Sequence, residues 1–269
     1  MTSPAPTRIA DYEVIETLHR PGAETYLLAR PPARLGLLSD QVTIKVVEGR
    51  HEADRFGRMT EELRHFAAIR SPYLVTLYDT GSDDGRLWYS MEYHPLGTLA
   101  EPSAPMTRQQ KLTAVADAAR GAHALHEAGI AHRDIRPVNI LLGPAHGVLA
   151  DLELARLLAA GRTVTSTAPV GDLEYTDPSL VRGEKASRAS DIWSLGLTLH
   201  RVLGEASAYP GLSPEAGMLP AVRRILSGGP EITTRLEPAV AELVRACVAP
   251  DPSDRPATAL ALAEEIEAL

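Results

Sequence analysis

Cysteine is nearly absent from this chain. Cys247 is the single one, which excludes a disulfide framework within the chain and suits a reducing compartment. Its setting, Ala241-Glu242-Leu243-Val244-Arg245-Ala246-Cys247-Val248, reads as a small core position rather than a reactive thiol. No apolar run approaches the ~20 residues that a membrane span requires. The opening residues, Met1-Thr2-Ser3-Pro4-Ala5-Pro6, lack the apolar centre of a signal peptide, and residues 1–10 read as a flexible lead-in to a domain spanning 11–269. Basic charge is also short: Lys and Arg total 27 against 35 Asp and Glu, a net charge of -8. Nucleic acid and anionic membrane surfaces both demand a clustered basic footprint, so neither is an expected partner. Repeats and low-complexity tracts are missing. What remains is 44% hydrophobic and 23% charged, enough for a sizeable packed core. The expected location is cytoplasmic.

The pattern changes along the chain. Residues from about Tyr12 to Tyr93 read mainly as strands: Tyr12–Leu18, the stretch around Tyr26-Leu27-Leu28, the β-branched run Val42–Val47, then Leu74–Tyr78 and Leu87–Met91 about a turn at Gly81–Gly85. One helix interrupts them between Glu52 and Ile69, ended by Ser71-Pro72. Beyond His94-Pro95-Leu96-Gly97 the spacing becomes helical. Met106–Gly129 places Leu112, Val115, Ala119, Ala122 and Leu125 on one side, and helices follow over Asp191–Leu203, Ala239–Val248 and Ala257–Leu269.

The densest chemistry lies in His132-Arg133-Asp134-Ile135-Arg136-Pro137-Val138-Asn139, followed by the apolar Ile140-Leu141-Leu142, a short buried strand. Phosphoryl transfer needs an acid to orient the attacking hydroxyl and a ligand for a metal on the phosphates. Asp134 and Asn139 offer both from one loop. This segment resembles the catalytic loop of the protein-kinase superfamily. The resemblance extends over nearly the whole chain and implies an α+β, two-lobed fold: a strand-rich N-lobe over 11–93, a hinge over 92–97 and a helical C-lobe over 97–269.

The resemblance assigns further roles. Lys45, in Val42-Thr43-Ile44-Lys45, resembles the strand lysine that grips the α- and β-phosphates, and Glu62 the helix glutamate that pairs with it. Asp151, in Ala150-Asp151-Leu152-Glu153, resembles the aspartate that holds Mg²⁺ together with Asn139. Gly22, Tyr26, Thr43, Met91, Glu92, Tyr93 and Leu141 fall at nucleotide-binding positions. Arg136 replaces the family's lysine near the transferred phosphate, and an ion pair with Asp172 is expected. Thr165 and Thr167 resemble autophosphorylation sites, with Arg133 as the cation that receives a phosphate. Asp191 matches the aspartate that caps the catalytic-loop backbone. Arg255 matches an arginine whose usual glutamate partner is here Ser179, so Asp177 or Glu184 is the expected substitute.

The departures concentrate on the nucleotide roof. His19, Pro21 and Glu24 stand at the three glycine positions of the glycine-rich loop, and only Gly22 remains nearby. Pro21 has no N–H to offer a phosphate, and Glu24 brings negative charge. The valine that packs on adenine becomes Tyr26, or Thr25 if the gap is placed differently, and Thr43 replaces an alanine. Glu153 stands where the family has glycine, either pointing to solvent or supplying an extra carboxylate. Two functional readings follow. One is a Ser/Thr protein kinase using ATP and Mg²⁺, weakly or conditionally active, acting on a protein substrate. The other is a pseudokinase that engages a partner protein with little turnover. A small-molecule phosphotransferase fits less well, given the long activation segment and Asp254-Arg255-Pro256.

Overall fold

The computed structural model describes residues 7–18, 25–47, 53–83, 85–151, 170–212 and 217–269; the side chains of 53–56, 58, 59, 62 and 170–172 lie outside that set. Expectations for residues 1–6, for Gly22 and the rest of 19–24, for Leu152, Glu153, Thr165 and Thr167, and for the side chains of Glu62 and Asp172 therefore fall beyond the described residues. The chain divides into two compact units, Met1–Ala68 with Val75–His94, and Ile69–Leu74 with Pro95–Leu269. Strands dominate the first and helices the second, the α+β composition of a kinase-like fold.

In the first unit, six strands form one antiparallel sheet: β1 (Arg8–Ile9), β2 (Tyr12–Leu18), β3 (Thr25–Arg30), β4 (Val42–Val47), β5 (Leu77–Asp83) and β6 (Arg86–Glu92), in the order β1-β2-β3-β4-β6-β5. Val42-Thr43-Ile44-Lys45-Val46-Val47 suits a central strand, since branched side chains pack well on a pleated surface, and all six residues are buried. Alternation sends Leu27, Ala29, Val42, Ile44, Val46 and Trp88 to one face, where they join Ile9 and Tyr12 in a core. The opposite face carries Tyr26, Leu28, Thr43, Lys45, Tyr89 and Met91. Helix α1 (Ala53–Ala68) packs on β5 and buries Leu63 and Phe66.

The strand expected over Leu74–Tyr78 lies later in the chain. Leu74 instead bridges Leu149, and the Leu149 N–H donates to the Tyr73 carbonyl at 2.8 Å. Pairing with β6 begins at Leu77 and continues through Gly81, placed in a turn on sequence grounds. Gly81 is an in-strand glycine because the Trp88 ring lies over it. A Cβ there would meet Trp88 Cζ2 at 2.4 Å.

The second unit is built around α2 (Arg108–Glu127). Thr107 accepts from the Gln110 amide while the Gln110 side chain accepts from the Thr107 N–H, a reciprocal cap. The sequence pattern suggested one apolar side. In the fold Ala114, Ala116, Ala118 and Gly121 are buried as well, because α2 contacts the β7 (Ile140–Leu142)–β8 (Gly147–Leu149) ladder and two further helices. Those are α4 (Arg188–Gly204) and α7 (Ala259–Glu267). The short α3 (Pro178–Val181), α5 (Met218–Ser227) and α6 (Pro238–Cys247) complete the unit. Helix α5 escaped the sequence reading because it contains Pro220. That proline sits in the first turn, where its missing N–H leaves no helical bond unmade.

Candidate active site

The loop from His132 to Asn139 joins α2 to β7, and a buried carboxylate organises it from beneath. Asp191 lies in the first turn of α4, fully buried. Its Oδ2 accepts from the His132 N–H at 2.7 Å and its Oδ1 from the Arg133 N–H at 2.9 Å. His126 Nε2 lies 2.7 Å from Oδ2. The capping role expected of Asp191 is thus met, and His126 adds a partner that sequence reasoning missed. Its only signal was a polar residue on the buried, Leu125-bearing stretch of α2. With both amides held, Arg133 adopts φ +75°, an uncommon conformation for a side-chain-bearing residue.

His132 then couples the loop to the strand that leads into Asp151. Its Nδ1 accepts from the Asp134 N–H at 3.3 Å, so the ring proton sits on Nε2, which donates to the Ala150 carbonyl at 3.0 Å. This bonding requires the neutral ring. Complete burial pushes the His132 pKa down, outweighing the upward pull of Asp191, Asp134 and Asp151. The Ala150 N–H donates to the Asn139 carbonyl at 2.9 Å, a second tie between loop and strand. Asp151 follows with φ +62° and is buried. Asp134, Asn139 and Asp151 are therefore fixed with respect to one another within a single unit.

The Asp134 carboxylate is oriented by its neighbours. Asn139 Nδ2 donates to both the Asp134 carbonyl and Oδ2 at 2.8 Å, and Arg136 Nε lies 3.3 Å from the carboxylate. The Asp134 side chain remains 27% exposed, against 12% for Arg136. Asn139 is buried, and with its nitrogen engaged the Oδ1 oxygen is its atom for a cation. The pairing described for Arg136 is with Asp134; the Asp172 side chain expected opposite it lies outside the described residues. Arg133 is half-buried, and its Nε makes no hydrogen bond among the described residues.

Arg255 finds the partner anticipated from sequence. Its Nη1 contacts Asp177 Oδ2 at 2.5 Å and donates to the Ala189 carbonyl at 2.8 Å, while Nε donates to the Ala249 carbonyl at 2.9 Å. The guanidinium stands 5.0 Å over the Trp193 ring. Both charged groups are buried. Cys247 is buried too, and burial pushes its thiol pKa up, as suits a core position.

The remaining site candidates belong to the first unit, apart from Leu141, which is buried in β7. Two rows cross the second face of the sheet. Tyr26, Lys45 and Tyr89 are register partners on β3, β4 and β6, and Leu28, Thr43 and Met91 form the adjacent row. Lys45 Nζ lies 5.3 Å from the Tyr26 ring centroid. Thr43 is fully buried and its hydroxyl makes no hydrogen bond among the described residues. Glu92 and Tyr93 end this unit half-exposed, and Glu92 Oε2 lies 3.8 Å from His94 Nε2. Glu62 falls on α1.

Among the described residues no helix is long and apolar enough to cross a membrane, and no cluster of three His, Cys, Asp or Glu side chains forms a metal site. Comparison with known proteins gives the family. Residues 37–266 match the family described as protein kinase domain, a range that includes Lys45, Asp134, Asn139, Asp151 and Arg255. The chain is 35% identical over 222 residues to the serine/threonine-protein kinase PknB of Mycobacterium tuberculosis, covering 78% of this chain and 35% of that protein. PknB of Mycobacterium leprae is 34% identical over 221 residues, with the same coverage. The serine/threonine-protein kinase PknL of Mycobacterium tuberculosis is 30% identical over 241 residues, covering 86% of this chain and 60% of that protein. The chain thus spans about a third of the length of PknB. On sequence match and fold together, the chain belongs to the protein kinase domain family.

Proposed function

We propose that this chain is the catalytic domain of a Ser/Thr protein kinase, transferring the γ-phosphate of ATP to a hydroxyl of a protein substrate. The observation that carries the reading is Asp134: its part-exposed carboxylate is aimed by Asn139 and Arg136, and its N–H is tied through His132 to the carbonyl of Ala150, next to Asp151. Asp134 orients the attacking hydroxyl and accepts its proton as the new P–O bond forms and the bond from the γ-phosphorus to the bridging oxygen breaks, with ADP leaving. Asn139 Oδ1 and the Asp151 carboxylate are hard oxygen donors, a set that would suit Mg²⁺. An ion held by them would supply positive charge against the negative charge of the nucleotide phosphates. Lys45 and Glu62 are assigned to the phosphates by the family motif, and Gly22, Thr43, Met91, Glu92, Tyr93 and Leu141 to the nucleotide. Arg136 holds Asp134 in its catalytic orientation. Thr165 and Thr167 are proposed autophosphorylation sites, and Arg133, whose Nε makes no hydrogen bond among the described residues, is the cation a phosphate there would meet.

The partner-binding reading draws on the Tyr26–Lys45 contact, whereas the intact Asp134, Asn139 and Asp151 set favours catalysis. A thermal-shift titration separates them. The catalytic reading expects ATP with Mg²⁺ to raise the melting temperature, by a stabilisation of about 2.7 kcal/mol at 100 times the dissociation constant. The shift vanishes in Asp151→Asn. Asp134→Asn keeps the shift and slows phosphoryl transfer by about 10²- to 10⁴-fold, and mass spectrometry of the wild-type incubation locates phosphate on Thr165 or Thr167. Absence of both shift and transfer in the wild type leaves the partner-binding reading.

A further inference from the structure

We propose that Tyr26 sets the nucleotide affinity of this domain by holding the Lys45 ammonium against its ring, so that a phosphate must draw Lys45 away in order to bind. The inference rests on the kinase reading, which gives Lys45 its phosphate. The contact itself does not. Tyr26 and Lys45 are direct partners in the β3–β4 register, with Nζ 5.3 Å from the ring centroid. β3 is paired on its other side to β2 and β4 to β6, so neither backbone can retreat from the other without breaking a ladder. Lys45 is 6% exposed and Tyr26 5%, and Tyr89, the partner on the far side, is 2% exposed. With so little water to screen it, the attraction of an ammonium for a ring face lies toward the upper part of its range. A valine at position 26 offers no such face, and a leucine fills similar space without one.

The contact runs from the ammonium to the ring, and the variants below separate the ring from the phenol hydroxyl and from bulk. Nucleotide binding has to exceed that attraction, which corresponds to about 2- to 30-fold in affinity. The chain has only three lysines, Lys45, Lys111 and Lys185, so ¹³C-lysine labelling gives a spectrum that resolves Lys45. Its ε-methylene protons should be shifted upfield by the ring in the nucleotide-free wild type and in Tyr26→Phe. They should return to ordinary positions in Tyr26→Leu. Calorimetric titration with Mg²⁺ and ATP should then show wild type and Tyr26→Phe alike, and Tyr26→Leu and Tyr26→Val tighter by about 2- to 30-fold. In a Lys45→Met background the gain disappears. An unshifted Lys45 signal overturns the proposal. So does wild-type binding that every Tyr26 variant reproduces, or a gain in Tyr26→Val that Tyr26→Leu lacks, which would assign the effect to bulk. Absence of binding in all variants overturns the kinase reading along with it, whatever the lysine spectrum shows.

Discussion

At the scale of single residues, polar atoms inside the sheet decide more than the apolar ones around them. Thr43 is fully buried between Leu28 and Met91, and its hydroxyl makes no hydrogen bond among the described residues. A buried hydroxyl without a partner loses water and gains nothing, at a cost of about 1–3 kcal/mol. Thr43→Val keeps the shape and removes the hydroxyl, so it should raise the urea midpoint by about 1 kcal/mol of stability without changing the m-value. An unchanged or lowered midpoint would mean that the hydroxyl is satisfied after all. The legibility of such residues in the sequence varied for a physical reason. Asp191 and Arg255 could be read because each sits in a short motif whose neighbours fix its surroundings. His126 could not, because what makes it useful is Asp191, 65 residues away in the chain.

At the scale of elements, β-branched content and helical spacing were enough to find β4, α1, α2, α4, α6 and α7 within a few residues of their ends. They failed where close approach, not propensity, governed. β5 looked like a turn because Tyr78-Asp79-Thr80-Gly81-Ser82-Asp83 carries turn residues, yet its glycine makes room for an indole. The same logic governs the packing of α4 on α6. A Cβ on Gly196 would meet the Cys247 Cβ at 2.4 Å, and Cys247 is fully buried with nowhere to move. Gly196→Ala, mild on an exposed helix face, should therefore destabilise by about 1–3 kcal/mol here, measured as a lowered urea midpoint. Gly196→Ala combined with Cys247→Ala leaves that Cβ–Cβ clash in place, whereas Cys247→Gly should recover part of the loss.

Over the molecule as a whole, the units differ in what holds them. The first relies on one sheet with two buried faces, the second on helices threaded by buried polar bonds. Those bonds make stability depend on pH. His132 and His200 both have pKa values lowered by burial, so below the ordinary histidine value of 6.5 the unfolded chain takes up protons that the folded chain refuses. Stability from these groups is complete above pH 6.5 and is lost as pH falls toward their folded values. Urea midpoints should hold from pH 8 to 7 and decline between pH 6.5 and 5 by up to about 1.4 kcal/mol per pH unit for each histidine. A flat profile over that range would contradict neutral burial. A last consequence concerns synthesis. Helix α7 packs along α2, Arg120 grips Glu267 through two bonds at 2.6 and 2.9 Å, and Arg108 reaches the Leu269 carbonyl. On the ribosome, α2 emerges long before the segment that covers it. Its alanine-lined flank therefore waits uncovered until translation has passed residue 267.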